Sequence, residues 1–306
     1  MLDSYIWGVV ERISPEAPVP IVTVKEKDFR LGGAGNVALN IQSLSAIPVL
    51  CSMIGNDDDG KKLLHRLDDK GISKEGIVVS HDRPTTVKTR VIASHQHVVR
   101  VDEESNAELN EREEKTLLER IENLLPRCQV VVFEDYDKGV LNPRIIDTVV
   151  KWARKRNIPT VVDPKKRNFL SYKNVTLFKP NLKELREGMK VDIDGGNQSQ
   201  ISKAVESLKE MLGADGVMVT LSEHGVYIDH GDQKIKLPAH IREISDVSGA
   251  GDTVVSVAAL CVALNIHPAL TASLSNLAGG LVCQHTGVVP INRTELFNEA
   301  VRLNLD

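Results

Sequence analysis

The sequence predicts an α/β fold: a mostly parallel central sheet with helices on both faces, plus a small β-strand lid. Three observations predict it. Strand-like and helix-like segments alternate from about residue 47 onward, which is the rhythm of βα units in a parallel sheet. The core must be aliphatic, because hydrophobic residues make up 42% of the chain and aromatics only 4%; buried parallel strands draw on such residues. Two stretches, Tyr5 to Lys27 and Thr86 to Asp102, carry β-branched alternation with no helix after them. They predict lid strands over approximately 5–30 and 84–103, in one domain spanning 1–306.

The elements follow in order. Val49 to Ile54 reads as a strand, and Asp57 to Lys70 as a helix closed by Gly71. Glu111 to Leu125 is helical and leads into the strand Val130 to Phe133. Pro143 to Arg156 is helical, with Pro in the first turn. The strands Thr160 to Val162, Val175 to Phe178 and Gly216 to Thr220 repeat the theme. Within the lid, Val87 to Ile92 and His97 to Val101 flank a turn at Ser94 to Gln96 and read as a hairpin. A lid of this kind closes over a site and excludes water.

Composition excludes several classes. Net charge is −4 with acids and bases interspersed, so no nucleic-acid partner is expected. No apolar stretch approaches the ~20 residues that span a bilayer, and the first residues lack the charged and apolar regions of a signal peptide. Cys51, Cys128, Cys261 and Cys283 are far apart and read as small buried residues of a reducing cytoplasm. The sequons at Asn174 and Asn292 then read as chance matches.

The strongest chemical signal is Asp246-Val-Ser-Gly-Ala-Gly-Asp-Thr253, ahead of the apolar helix Val254 to Leu264. Gly249, Ala250 and Gly251 are small enough for a ligand to approach the main chain, and a helix N-terminus offers unpaired amides to an anion. Such a turn can hold charge developing on a transferring phosphoryl group. Asp252 is then either a dipole-favoured first-turn acid or a base for an attacking hydroxyl. A second signal is Gly32-Gly33-Ala34-Gly35-Asn36, where Asn36 can bind vicinal hydroxyls or cap a helix. In Lys179-Pro-Asn-Leu-Lys-Glu184, Asn181 and Glu184 share a helix face. They form a capping box, or hold a hydrated Mg²⁺ and a phosphate oxygen. Thr220, Ser222 and Gly225 follow a strand end, where nucleotides bind in open α/β sheets.

Two motifs are decoys. Gly55 to Lys62 imitates a Walker A loop but ends in Lys62 and carries Asp57, Asp58 and Asp59, which repel phosphate. His95 and His97 alternate on the hairpin and read as a solvated turn rather than a metal site. Protein-kinase HRD and DFG motifs are absent.

In this order, GGAGN early, NxxE in the middle and DVSGAGDT late, the motifs resemble those of the ribokinase-like carbohydrate kinases (phosphofructokinase B type) over nearly the whole chain. Ser248 is a mild variant of their more common DTTGAGD-like motif. Arg12 to Pro20, Thr85 to Val91, Arg100 to Asp102 and Glu134 to Gly139 are similar to segments of the bacterial heptose kinases of lipopolysaccharide biosynthesis. Those enzymes phosphorylate C1 of D-glycero-β-D-manno-heptose 7-phosphate on the way to ADP-heptose. The resemblance implies a three-layer ribokinase-like sandwich with ATP and Mg²⁺ as cofactors.

It also implies roles. Asp252 is the base, with Gly249, Ala250 and Gly251 as anion hole. Asn181 and Glu184 organise Mg²⁺ and phosphates, Glu184 acting on the metal through water. Thr220, Ser222, Gly225 and Asn276 flank the nucleotide, and Lys165 lies near the transferred phosphate. Asp3, Gly32, Gly33 and Asn36 hold sugar hydroxyls, while Lys88 and Arg90 meet the sugar phosphate. Family members usually begin with an apolar strand ending in a GDxxLD-like sequence, and this chain starts inside that motif, so a central strand is expected to be missing. No C-terminal nucleotidyltransferase domain is expected within the sequence, so that activity would come from a separate polypeptide. Lid edges suggest a homodimer. A kinase for another sugar or a nucleoside, and a catalytically weak sugar-binding regulator, remain as alternatives.

Overall fold

The computed structural model describes residues 1–94, 96–240 and 245–305. His95 lies outside the described residues. In chain order the elements begin with β1 (Leu2–Ile13), β2 (Pro20–Leu31), α1 (Ala34–Ser43), β3 (Ser52–Gly55), α2 (Asp58–Asp69), β4 (Ile77–Ser80), β5 (Val87–Ala93) and β6 (Gln96–Glu103). Then come α3 (Glu111–Leu124), β7 (Val131–Glu134), α4 (Pro143–Lys155), β8 (Thr160–Asp163), β9 (Leu177–Phe178), α5 (Leu182–Met189) and α6 (Gln198–Leu212). The chain closes with β10 (Gly216–Thr220), β11 (Val226–His230), β12 (Gln233–Leu237), α7 (Ala250–Ala263), α8 (Pro268–Val282) and α9 (Arg293–Arg302).

Polar side chains start most helices. Asp57, Asn142, Asn197 and Asn292 each accept a first-turn amide, and Asn110 with Glu113 forms a reciprocal capping box. Asp57 also accepts from the Thr85 amide and hydroxyl, so the Walker-like loop is an acidic helix start tied to the lid.

The main sheet runs β12-β11-β10-β9-β8-β7. Strands β7 to β10 are parallel, as their apolar sequences require, and β11 and β12 add antiparallel. The β11–β12 hairpin was not expected from the sequence. Helices α3, α4 and α6 pack on one face through Leu117, Ile145, Val149 and Leu208, while α1 and α7 cover the other through Val37, Val255 and Ala258. Each fully buried aliphatic side chain contributes about 1.5–3 kcal/mol. Strands β3 and β4 form a separate parallel pair.

The lid is a four-stranded sheet of order β2-β1-β5-β6. β1 and β5 are parallel, and β5–β6 is the expected hairpin. Residues 2–13 and 20–31 therefore lie in a sheet separate from the main one.

Candidate active site

The site forms where the lid meets the carboxyl ends of the main strands. The loop before α7 is tied down by Asp246, whose carboxylate accepts from the Ser248 and Gly287 amides. Gly249 then takes a left-handed turn (φ 82°) at the helix N-cap, with no side chain capping the helix. The Ala250 amide is engaged by the Val247 carbonyl at 3.3 Å. Among the described residues, the amides of Gly249, Gly251 and Asp252 have no partner. These are three of the orphan donors that a helix start leaves, with Asp252 beside the expected 249–251 set.

Asp252 is 8% exposed, in the first turn of α7. Its Oδ2 accepts from Asn36 Nδ2 at 2.7 Å, and its Oδ1 from the Tyr136 hydroxyl at 3.0 Å. Burial raises its pKa from 3.8 to about 6, with Asp163 adding to the rise and the two hydrogen bonds opposing it. The carboxylate is thus oriented, nearly dry and basic enough to accept a hydroxyl proton.

Asn40 fixes the frame around this pair. Its amide donates to the Asn36 carbonyl at 2.9 Å, and its Oδ1 accepts from Thr253 Oγ1 at 3.1 Å and the Ile291 amide at 2.9 Å. Gly33 (φ 56°) turns the chain into α1, and a side chain there would collide with Met1 and Tyr136. The Asp3 carboxylate packs against Gly32. The two glycine motifs, more than 200 residues apart, therefore meet at one point.

Behind the glycine turn lies a buried set of charges. Lys179 is 2% exposed and pairs with Asp163 at 2.9 Å. A β-carbon on Gly251 would stand 3.8 Å from Asp163 Oδ2 and 4.0 Å from Lys179 Nζ. Lys165 pairs with Glu184 at 2.5 Å, approaches Asp163 at 3.9 Å, and lies 5.8 Å from the Tyr136 ring centroid. Burial lowers the pKa of both lysines, but their carboxylate partners outweigh it and the net shift is upward. Burial, then Asp163 and Asp252, pushes the Glu134 carboxyl well above its ordinary range.

The residues expected to flank a nucleotide are continuous with this set through Lys165 and Glu184. Asn181 and Glu184 form a complete capping box at the start of α5 (Asn181 Oδ1 to Glu184 amide, 2.8 Å; Glu184 Oε2 to Asn181 amide, 2.9 Å). The capping reading therefore holds; the Glu184 side chain also pairs with Lys165, and the Asn181 backbone bridges to Thr220. Gly225 (φ 87°) packs under the backbone of residues 237–239, and Asn276 Nδ2 donates to the Pro238 carbonyl at 2.8 Å. Ser222 opens the short turn between β10 and β11. No group of three or more His, Cys, Asp or Glu side chains among the described residues could cage a metal. Glu184 and Asp163 are hard-oxygen donors of the kind Mg²⁺ takes one or two of alongside its waters.

On the lid, Lys88 pairs with Asp102 at 2.9 Å and Glu104 at 3.3 Å, and Arg90 pairs with Asp3 at 2.7 Å. Arg90 and Arg30 both stack on the Tyr5 ring. Sequence reasoning missed Tyr136, Asn40 and Lys179. Tyr136 could have been found two residues beyond the end of β7, where ligands gather. Lys179 gives no signal, because it ends an apolar strand and is buried.

An oriented acid that sheds its proton beside unclaimed helix amides is what an alcohol-directed kinase needs. A family model described as pfkB family carbohydrate kinase matches residues 3–295. The chain belongs to that family, and it is a kinase with the ribokinase-like fold. It is 39% identical over 297 residues to the protein named "Bifunctional protein HldE" from Geobacter sulfurreducens, covering 97% of this chain and 60% of that protein. The same-named protein from Paramagnetospirillum magneticum is 40% identical over 299 residues, again covering 97% of this chain and 60% of the relative. The chain thus spans about three fifths of the length of these relatives.

Among solved structures, phosphofructokinase-2 from Escherichia coli in complex with potassium is similar at TM-score 0.81 and 21% identity, with 99% of this chain and 96% of that chain covered. Ribokinase from Arabidopsis thaliana complexed with ribose and ATP is similar at TM-score 0.74 and 19% identity, with 97% and 95% covered. No described helix is long and apolar enough to cross a membrane.

Proposed function

We propose that this chain transfers the γ-phosphoryl group of ATP to the C1 hydroxyl of D-glycero-β-D-manno-heptose 7-phosphate, giving the 1,7-bisphosphate and ADP. The observation that carries the reading is Asp252, held by Asn36 and Tyr136 at the mouth of an uncapped helix. Asp252 takes the hydroxyl proton as the sugar oxygen attacks the γ-phosphorus. The bond from phosphorus to the β,γ-bridging oxygen breaks, and ADP leaves with that oxygen. The amides of Gly249, Gly251 and Asp252 receive the equatorial charge, and Lys179 behind Gly251 supports it. Mg²⁺, when bound with the nucleotide near Glu184 and Asp163, neutralises phosphate charge. Lid closure excludes water.

Heptose 7-phosphate as acceptor is supported by the similarity of residues 12–20, 85–91, 100–102 and 134–139 to heptose kinase segments. In this reading Arg90, with Arg30 beside it, meets the sugar phosphate. A second reading is a neutral sugar or nucleoside as acceptor. It is favoured by the carboxylates that already balance Lys88 and Arg90. ATP turnover with a panel of sugars and sugar phosphates, with the product located by phosphorus NMR, separates the two. Turnover with heptose 7-phosphate is expected. Turnover only with a neutral acceptor overturns the specific assignment, and no turnover with any acceptor leaves a sugar-binding regulator. We further propose a homodimer through the lid, whose Val24, Val99 and Val101 are about half exposed; a monomer by light scattering would refute it.

A further inference from the structure

Glu104 stands between the lid and the main sheet, just past the end of β6. Its Oε1 accepts from Lys138 Nζ at 2.6 Å, and its Oε2 from Lys88 Nζ at 3.3 Å. Lys88 belongs to β5 of the lid, and Lys138 to the loop that follows β7. The side chains of Glu104, Lys138 and Lys88 are 21%, 20% and 13% exposed, so this is a shielded bridge rather than a loose surface pair. Burial alone would raise the Glu104 pKa, but Lys138 and Lys88 outweigh it and the net shift is downward. The carboxyl is therefore an anion held between two ammoniums.

The backbone around it is pinned. The Arg83 guanidinium donates to the carbonyls of Ser105 and Lys138, and that of Arg167 donates to the Asn106 carbonyl at 2.9 Å. A β-carbon on Gly139 would collide with the Ala107 carbonyl, so the two loops lie against each other. What is left to move is the Glu104 side chain. Both lysines adjoin the candidate site. Arg90 lies two residues along β5 from Lys88, on the same face of the strand, and pairs with Asp3. Tyr136 lies two residues before Lys138 and reaches Asp252.

A carboxylate that bridges two ammoniums fills the place of a phosphate. A phosphomonoester carries roughly two negative charges and three strong acceptor oxygens, more than a carboxylate has of either. It can take both ammoniums from Glu104, whereas a neutral hydroxyl cannot. We infer that Glu104 is a resident stand-in for the acceptor's phosphate and a specificity-determining residue. A phosphorylated sugar displaces its carboxylate by a side-chain rotation and is held by Lys88 and Lys138, lid to body; a neutral sugar leaves the bridge closed. The inference rests on the reading of a phosphorylated acceptor and adds Lys138 and Glu104 to it. The charge balance around Lys88 then serves to reject neutral acceptors rather than to welcome them.

The test uses the full chain with a non-hydrolysable ATP analogue bound, so that the nucleotide side is filled, and inorganic phosphate as the probe. Glu104→Gln is expected to tighten phosphate binding several-fold by calorimetry. In turnover it is expected to lower KM for heptose 7-phosphate by a similar factor and to leave KM for ATP in place. Lys138→Gln is expected to weaken phosphate binding and to raise the KM for heptose 7-phosphate. If Glu104 only staples the lid to the body, Glu104→Gln would raise that KM and lower the melting temperature, and the inference falls. Unchanged phosphate binding in Glu104→Gln also overturns it. Should the variants fail to fold, the carboxyl carbon resonance of Glu104 in the unaltered chain decides. Phosphate is expected to shift it, and phosphate binding that leaves it unmoved overturns the inference. Turnover of neutral acceptors alone would defeat the underlying reading and the inference with it. Turnover of heptose 7-phosphate with no gain in KM for Glu104→Gln would defeat the inference only.

Discussion

Asn36 donates a 2.7 Å hydrogen bond to Asp252 across 216 positions of sequence. This contact joins the Gly32–Asn36 motif to the Gly249–Asp252 turn. It favours the ionised carboxylate, while burial and Asp163 oppose it.

Asp252→Asn should retain ATP binding and lower kcat by roughly 10²–10⁴-fold through loss of base catalysis. The same change should stabilise the fold at neutral pH. The folded pKa of Asp252, about 6, lies above the ordinary 3.8. Its stabilising contribution is therefore complete below pH 3.8 and lost as pH rises through about 6. Above that pH the buried charge costs on the order of 2–3 kcal/mol. Thermal melts at pH 8 and pH 4 check this, with the variant ahead at pH 8 and the gap closing at pH 4.

For the active protein, kcat/KM should rise with pH through about 6 as Asp252 deprotonates. Asn36→Ala removes a donor that holds the pKa down, so this limb should move to higher pH. Tyr136→Phe should move it in the same direction. A limb that stays in place in both variants would assign the titration to another group.

Lys179→Met should destabilise by about 3–5 kcal/mol, because Asp163 is left buried without its partner. Adding Asp163→Asn should return most of that stability in denaturant titrations. Turnover should stay low in the double variant, since the positive charge behind Gly251 is gone.

Asn181→Ala should cost about 0.5–2 kcal/mol through loss of the helix cap. Asn181→Asp keeps the capping acceptor and should leave the melting temperature nearly unchanged. It should nonetheless raise KM for ATP, because it adds negative charge beside the phosphates. An unchanged KM would reduce Asn181 to a helix cap.

The glycine turns, the lid and the parallel strands were legible because each is written in local sequence. Gly249 needs its left-handed turn, and β7, β8 and β10 are continuous apolar runs. What stayed hidden is non-local. The acidic partners of Lys88 and Arg90 come from Asp102, Glu104 and Asp3, which only the lid register brings alongside. Lys179 reads as a strand terminus, and nothing in its neighbours announces that Asp163 waits across the sheet. The β11–β12 hairpin went unread although Lys234-Ile-Lys-Leu237 alternates, because each run is only five residues long and Asp229 and His230 end the apolar part of β11.

Asn40 ties its own helix to two distant stretches of chain with one neutral amide. An amide gains and loses no proton over the range in which proteins work. The ties that Asn40 makes are therefore indifferent to acidity, whereas the Asp252 carboxylate beside them responds. Acidification through about pH 6 should slow this kinase by protonating its base while the Asn40 ties stay in place.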